Sequence, residues 1–494
     1  MEELENMEIQ ENFNEKTSET NKKERSFSNI NTKSFFVVVA ILTVIIAFCG
    51  ALSYILPQGS FLRDETGAII DGTYKQGAVD GIAIWRVITA PFRVFVSSDA
   101  LTIIFISLFL LIMSGVFNLL EKTDGIRIFI GRTVQKFSDK RKIVVCIACF
   151  IFMAFGSFFG MFEELVTLLP LVIVFMLSMG FDTLTGLGVC MLSACFGFSA
   201  AITNPFSVGL ASNLAGTYVL DGAWLRILFF LFVYTAVCAF LLLHIRKISK
   251  NPEKSLTYLI DIEKRKTLDF TVKEDSEKDG KIFRIYAVFF SVQLVMLLLI
   301  ASIRVIADYA IPLLSFSFLV GGITAGLFVC ERKKDVAKHI LQGVVAMLPA
   351  VVMIALASSV KLVMVESGIM DTVMHTVIEL LRGKNKFLCI ILIYFLILFL
   401  QVFIGSASAK LMLVMPIVLP VATALGLSPT VLILTYCIAD GFTDMILPTN
   451  PVLLIGLSMA NVSYSKWVRF TWKLQLFVFS VTVLLLMFAV SIGY

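Results

Sequence analysis

Apolar runs alternate with short polar loops along nearly the whole chain. Runs long enough to cross about 30 Å of hydrocarbon fall at 35–56, 99–120, 184–217, 224–246, 285–303, 310–330, 340–365, 430–460 and 470–492, which predicts about nine spanning helices. Two further apolar stretches, 143–180 and 387–426, are split by small and polar residues: Gly156-Ser157 through Glu164 in one, Gly405-Ser406 through Lys410 in the other. Each is either two full spans or one re-entrant hairpin. The runs 184–217 and 430–460 are themselves interrupted by the same triplet, Thr203-Asn204-Pro205 and Thr449-Asn450-Pro451. An offset of 246 residues superposes the two triplets, and with them Pro170 on Pro416 and Gly180 on Gly426. The same plan is written twice.

Proline removes an N–H and clashes with the carbonyl one turn earlier, so each triplet predicts a helix broken at membrane depth. A break there survives only where protein or a wet cavity satisfies the freed backbone groups. The Thr hydroxyl and Asn amide offer replacement donors and acceptors. Paired breaks in a duplicated membrane chain mark the binding site of a secondary transporter, with a simple proline kink as the bland alternative.

Composition agrees with lipid as the solvent: 58% of the 494 residues are hydrophobic and 16% charged. The nine Cys all fall in apolar stretches and read as small hydrophobes, and Cys146-x-x-Cys149 lacks the partners of a metal site. His244, His339 and His375 fall at or beyond span ends and read as loop residues, so neither a metal centre nor a cofactor is expected beyond a coupling Na⁺ or H⁺. The net charge of +5 resides in loops beside the spans and reports orientation, not nucleic-acid binding. With the polar tail 1–34 inside, the basic loops 121–142, 246–284 and 332–338 all face the cytoplasm, and 57–98 lies outside. The chain then divides into the tail 1–34, a first copy over 35–246, a cytoplasmic loop 247–284, a linking span 285–303, and a second copy over 310–492 that the linking span inverts. Segments 124–138 and 368–383 read as interfacial helices or ordinary loop helices. The fold class is an all-α polytopic membrane protein of inverted repeats.

Charges at bilayer depth are costly and therefore functional candidates. Glu163 and Glu164 sit at the first tip, Lys410 at the second, and Asp440 and Asp444 precede the second break. By the 246 offset Lys410 is the counterpart of Glu164, which raises an ion pair across the tips as the structural alternative to a ligand site. Asp440 and Asp444 share a helical face at i,i+4 and would repel, so a proton, Na⁺ or a cationic substrate is expected to neutralise one of them, unless Asp440 is hydrated. Ser157, Ser406 and Ser408 complete the tips as hydrogen-bonding or close-packing residues. The candidate substrate-binding set is Ser157, Glu163, Glu164, Thr203, Asn204, Ser406, Ser408, Lys410, Thr449 and Asn450, with Asp440 and Asp444 for ion or proton coupling and no catalytic residue. Four carboxylates against one lysine favour a cation, hence a basic amino acid; a dicarboxylate would instead use Lys410, hydroxyls and helix N-termini. An Mg²⁺-dependent prenyl transferase, suggested by Asp440-x-x-x-Asp444, lacks a second acidic cluster and leaves the duplication unexplained. A channel would be distinguished by single-channel currents.

The run Gly160-Met161-Phe162-Glu163-Glu164, the stretch Thr203-Asn204-Pro205-Phe206, the loop Asn251-Pro252-Glu253-Lys254-Ser255-Leu256 and the motif Asp440-Gly441-Phe442-Thr443 with Pro448-Thr449 resemble the YfcC family. That family is similar to C4-dicarboxylate anaerobic carriers and to arginine/ornithine antiporters of the ArcD type, within the ion transporter superfamily. The resemblance covers residue 35 to the end. It implies two re-entrant hairpins, a scaffold that forms a homodimer, an elevator-type transport unit in the cytoplasmic membrane, and substrate and ion sites at both tips and at Asn204 and Asn450.

Overall fold

The computed structural model describes residues 32–62, 72–125, 128, 140–267, 277–302, 309–381 and 383–494. Most of the tail 1–34, most of the segment 124–138 and part of the loop 247–284 lie outside the described residues. In chain order α1 (Thr32–Leu52), α2 (Ile84–Arg93) and α3 (Ala100–Lys122) precede a helical hairpin. Its arms are α4 (Arg141–Ala154), continued by a widened turn over Phe155–Phe159, and α5 (Leu169–Ser178). Next come the halves of a broken helix, α6 (Thr183–Ser199) and α7 (Leu210–Ala215), then α8 (Ala223–Lys250) and the charged α9 (Tyr258–Thr267). The second half runs α10 (Glu277–Ser302), α11 (Ala310–Val329), α12 (Lys333–Glu366) and α13 (Ile369–Leu381). A second hairpin of α14 (Lys386–Gln401) and α15 (Ala407–Ala424) comes next, then a second broken helix, α16 (Pro429–Gly441) and α17 (Pro451–Ala460), and finally α18 (Tyr464–Ser491). A two-residue ribbon pairs Gly59–Ser60 (β1) with Lys75–Gln76 (β2) antiparallel.

By length and composition, seven of the described helices can cross a bilayer. Five of the nine predicted runs are among them; the runs 184–217 and 430–460 are each two short helices around a break, and the runs 35–56 and 285–303 fall on α1 and α10, whose side chains are described only in part. Two of the seven, Arg141–Phe159 and Ala407–Ala424, are arms of the hairpins.

Two packing groups result. The long α12 lies along α3 and touches α1 and α2, with α11 on α3 and α10 on α11. The second group is built on the broken helices: α6 packs on α4, α5 and α16, and α16 also meets α14 and α18. Lipid tails are as apolar as leucine, so helices in a membrane associate through close fit instead of water exclusion. Glycine provides that fit where the first hairpin meets α6. A Cβ on Gly197 would stand 2.0 Å from the Met153 carbonyl oxygen, and one on Gly156 would stand 2.1 Å from that of Ala194.

Outside the apolar region α9 fastens both broken helices. Asp182 caps α6, with Oδ1 accepting from the Thr185 amide at 2.9 Å and its hydroxyl at 2.6 Å. Its Oδ2 accepts from Ser255 Oγ at 2.6 Å and lies 2.8 Å from His244 Nε2. His244 is therefore not a loop residue: α8 continues past the apolar run, its last turn carrying Lys247 and Lys250 where a helix C-terminus favours cations. From α9, Asp261 accepts from the Thr183 hydroxyl at 2.5 Å, and Lys264 donates to the Ala460 carbonyl, the last of α17, at 2.7 Å. Burial pushes the Asp261 carboxyl above its ordinary range and the Lys264 ammonium down to about 8, the Asp261 charge opposing the latter.

Gly197→Ala is expected to lower stability by about 1–3 kcal/mol, because the new methyl must push two helix backbones apart. Gly405→Ala, where a Cβ meets nothing within 4 Å, is the control. Thermal unfolding in detergent checks this; equal midpoints for the two variants would mean that α4 and α6 are not in backbone contact.

Candidate functional site

Both Thr-Asn-Pro triplets act as helix starts. Proline in the first turn has no N–H to leave orphaned, and asparagine is a favoured cap. Asn204 accepts from the Phe206 amide at 2.9 Å, and Asn450 from the Val452 amide at 2.9 Å and that of Leu453 at 3.4 Å. Each break therefore presents a helix N-terminus to whatever lies before it.

At the first break the hairpin tip fills that position. The Ser157 carbonyl accepts from the amides of Ile202, Thr203 and Asn204 at 3.1, 3.3 and 3.1 Å. Ser157 Oγ donates to the Ala200 carbonyl at 2.7 Å, and Thr203 Oγ1 to that of Phe158 at 3.1 Å. The tip turns at Gly160, whose φ of 69° suits glycine and whose Cβ would stand 2.3 Å from Asn204 Oδ1. Ser157 and Asn204 are fully buried.

The second break is organised by charge. Lys410, on the first turn of α15 and 0% exposed, places Nζ 2.5 Å from Oδ1 of Asp440, itself 1% exposed. The ammonium also donates to the Ile404 carbonyl at 3.3 Å. The Asp440 contact is ionic, for neither of its oxygens accepts a hydrogen bond of regular geometry among the described residues. Lys410 thus pairs with Asp440 of the neighbouring α16, on which α15 packs. Glu164 opens the short turn Glu164–Leu168; its side chain lies outside the described part of the structure. Asp440 and Asp444 do not share an α-helical face, since α16 ends at Gly441 and Phe442–Met445 tightens into a 3₁₀ turn. Lys410 neutralises Asp440, a role the sequence pattern assigns to a proton, Na⁺ or substrate, while Asp444 accepts from Gln401 Nε2.

A 490 Å³ cavity lies between the two packing groups. It is lined by Gly160, Phe162 and Glu163 of the first tip, Phe403 and Gly405 to Ser408 of the second, and Asp444 and Thr449 to Val452 of the second break. Asp99, Ser358 and Lys361 line its other side. Of the sequence-derived candidates it gathers Glu163, Ser406, Ser408, Asp444, Thr449 and Asn450. Ser157, Thr203, Asn204, Lys410 and Asp440 are not in its lining. Asp99 and Lys361 were not among the sequence candidates, though Lys361 is visible as a lone charge in the run 340–365. Among the described residues no group of three or more His, Cys, Asp or Glu is placed to hold a metal ion.

A family model described as DcuC, the C4-dicarboxylate anaerobic carriers, matches residues 33–491. The chain belongs to the DcuC family. It is 22% identical over 485 residues to Escherichia coli (strain K12) YfcC, named provisionally as a basic amino acid antiporter, with 90% of this chain and 93% of that protein covered. An uncharacterized protein of Haemophilus influenzae is 24% identical over 370 residues, covering 74% of this chain and 71% of that one. Among solved structures, the Alcanivorax borkumensis YdaH transporter aligns over 93% of this chain and 98% of its own, with 16% identity and a TM-score of 0.40. This DcuC-family chain is a multi-pass membrane protein of a transporter family, a carrier and not an enzyme.

Lys410→Met is expected to cost about 3–5 kcal/mol, because it strands a buried carboxylate, whereas adding Asp440→Leu restores most of the loss. Thermal unfolding and the yield of monodisperse protein measure both. A single variant as stable as the starting protein would remove the ion pair from the fold's support.

Proposed function

We propose that the protein is a secondary active carrier that exchanges basic amino acids of the arginine/ornithine type across the cytoplasmic membrane. The observation that carries this reading is the charge of the cavity: Glu163, Asp444 and Asp99 against Lys361. The balance of four carboxylates against Lys410 does not hold in the folded chain, since Lys410 and Asp440 cancel in the core. Among the described lining residues three carboxylates stand against one lysine, and a cationic side chain complements that balance. The name of the Escherichia coli relative agrees.

The competing substrate is a C4-dicarboxylate, which the family description favours. It would use Lys361, the Ser406 and Ser408 hydroxyls and the N-termini of α15 and α17, with a carboxylate carrying H⁺ or Na⁺. Two further carboxylates beside Asp99, Glu163 and Asp444 would need that extra cation, so the basic amino acid fits with fewer additions.

The transport scheme has inverted copies, each with a re-entrant hairpin whose tip meets its own break. Supporting it, Cys195 Sγ lies 3.0 Å from the Gly441 carbonyl, a pair 246 residues apart, and Phe196 meets Phe442 at the same offset with centroids 4.9 Å apart. Residues that touch their own counterparts lie on the axis relating two copies. The basic loops put the N-terminus in the cytoplasm. The group on α3 and α12 would be the dimerising scaffold and the group on the broken helices the elevator. Asp444, in the cavity wall, would take the coupling H⁺ or Na⁺ if flux is ion-coupled, with Asp440 held beside it by Lys410.

Proteoliposomes loaded with ornithine should accumulate arginine by counterflow and should take up neither succinate nor leucine at a comparable rate. Glu163→Gln with Asp444→Asn should lower arginine flux at least tenfold. Succinate counterflow without arginine counterflow would replace this reading with the dicarboxylate one.

A further inference from the structure

Apart from the tip and break residues, one charged pair is placed to meet a substrate. Lys361, in the last turns of α12, and Asp99, just before α3, bring Nζ and Oδ2 within 2.5 Å. Their side chains are 24% and 41% exposed, so a solute can reach both. A second cavity, a cleft of 730 Å³, is lined by β1, β2, Glu366 and Asp371. Asp99 and Lys361 are the residues that line both this cleft and the 490 Å³ cavity. They are shared by the walls of both.

Two details separate this pair from an ordinary surface bridge. Asp99 occupies the N-cap position of α3, where a carboxylate would normally accept from the first turn's amides, yet it makes no cap hydrogen bond. Its side chain is turned to Lys361 instead. The neighbouring pair Arg93 and Glu366 is closed by two hydrogen bonds, Nη1 to Oε2 at 2.8 Å and Nη2 to Oε1. Among the described residues the Asp99 and Lys361 contact is single, which leaves one carboxylate oxygen and two ammonium hydrogens for another partner.

We infer that Asp99 and Lys361 read the zwitterionic head of an α-amino acid, the α-ammonium going to Asp99 and the α-carboxylate to Lys361. This rests on the amino acid reading above and adds the half of the substrate that reading leaves unassigned. A zwitterion carries both charges on one carbon, so it can insert into an ion pair and leave neither partner unpaired. A dicarboxylate would set a carboxylate against Asp99, and an amine without a carboxylate would set a cation against Lys361; like charges brought together reject a ligand. The cationic side chain would then extend towards Glu163 and Asp444 across the same cavity.

The test is arginine counterflow in proteoliposomes, with Nα-acetylarginine and argininamide as probes lacking one head charge each. For the unaltered protein both analogues should be at least tenfold poorer than arginine. Asp99→Asn should raise the arginine KM at least tenfold and narrow the gap to Nα-acetylarginine to less than threefold; Lys361→Gln should do the same for argininamide. The exchanged pair, Asp99→Lys with Lys361→Asp, keeps the bridge and should unfold at the same temperature as the starting protein without transporting arginine. Exchanged protein that transports normally would make the pair purely structural and overturn the inference, as would single variants with unchanged KM and unchanged analogue ranking. Unaltered protein that carries succinate and not arginine would instead overturn the amino acid reading on which the inference stands.

Discussion

A carbonyl oxygen has room for two good hydrogen bonds, and that of Ser157 accepts from three successive amides. The arrangement answers the demand a membrane makes of any interrupted helix: its freed backbone groups must find partners without water. The first break exists because the hairpin tip is there to cover Ile202, Thr203 and Asn204. The hairpin approaches that closely because Gly156 and Gly197 remove the side chains between α4 and α6. Sequence, helix packing and the placement of the first hairpin tip are thus linked through one backbone oxygen.

The two breaks solve the same problem with different means. At the first, the Ser157 and Thr203 hydroxyls donate to backbone carbonyls and Asn204 Oδ1 caps the second half of the helix, and none of the three residues lines the cavity. At the second, Lys410 and Asp440 carry the structural role from within the core, and Thr449 and Asn450 are left in the cavity wall. One break braces the fold while the other faces the cavity. The cavity's charge consequently comes from unrelated elements, with Asp99 and Lys361 supplied by helices outside both hairpins.

Much of this was legible along the chain. The triplets marked the breaks because proline and its cap act locally, and the split apolar stretches marked the tips because small polar residues interrupt hydrophobic runs. Pairing was not legible. The offset aligned Lys410 with Glu164, but a side chain reaches whichever helix packs beside it, and α15 packs on α16. The shared face of Asp440 and Asp444 rested on α-helical spacing that Gly441 ends. Lys361 could have been found: a lone lysine within the apolar run 340–365 is a signal needing no structure. Asp99, at a span boundary, looks like any loop aspartate until its neighbour is known.

The buried pair of Lys410 and Asp440 also constrains how the chain enters the membrane during synthesis. Lys410 leaves the ribosome first, and its partner emerges only after the rest of α15, a turn and most of α16. A lone lysine opposes insertion into the bilayer, and Lys410, in the first turn of α15, has no partner at that stage. The second hairpin therefore has reason to wait at the membrane surface, or beside helices already inserted, until α16 brings the compensating charge. Its arms are then delivered together with the broken helix that completes them, so that biogenesis of this half proceeds in one block and not span by span.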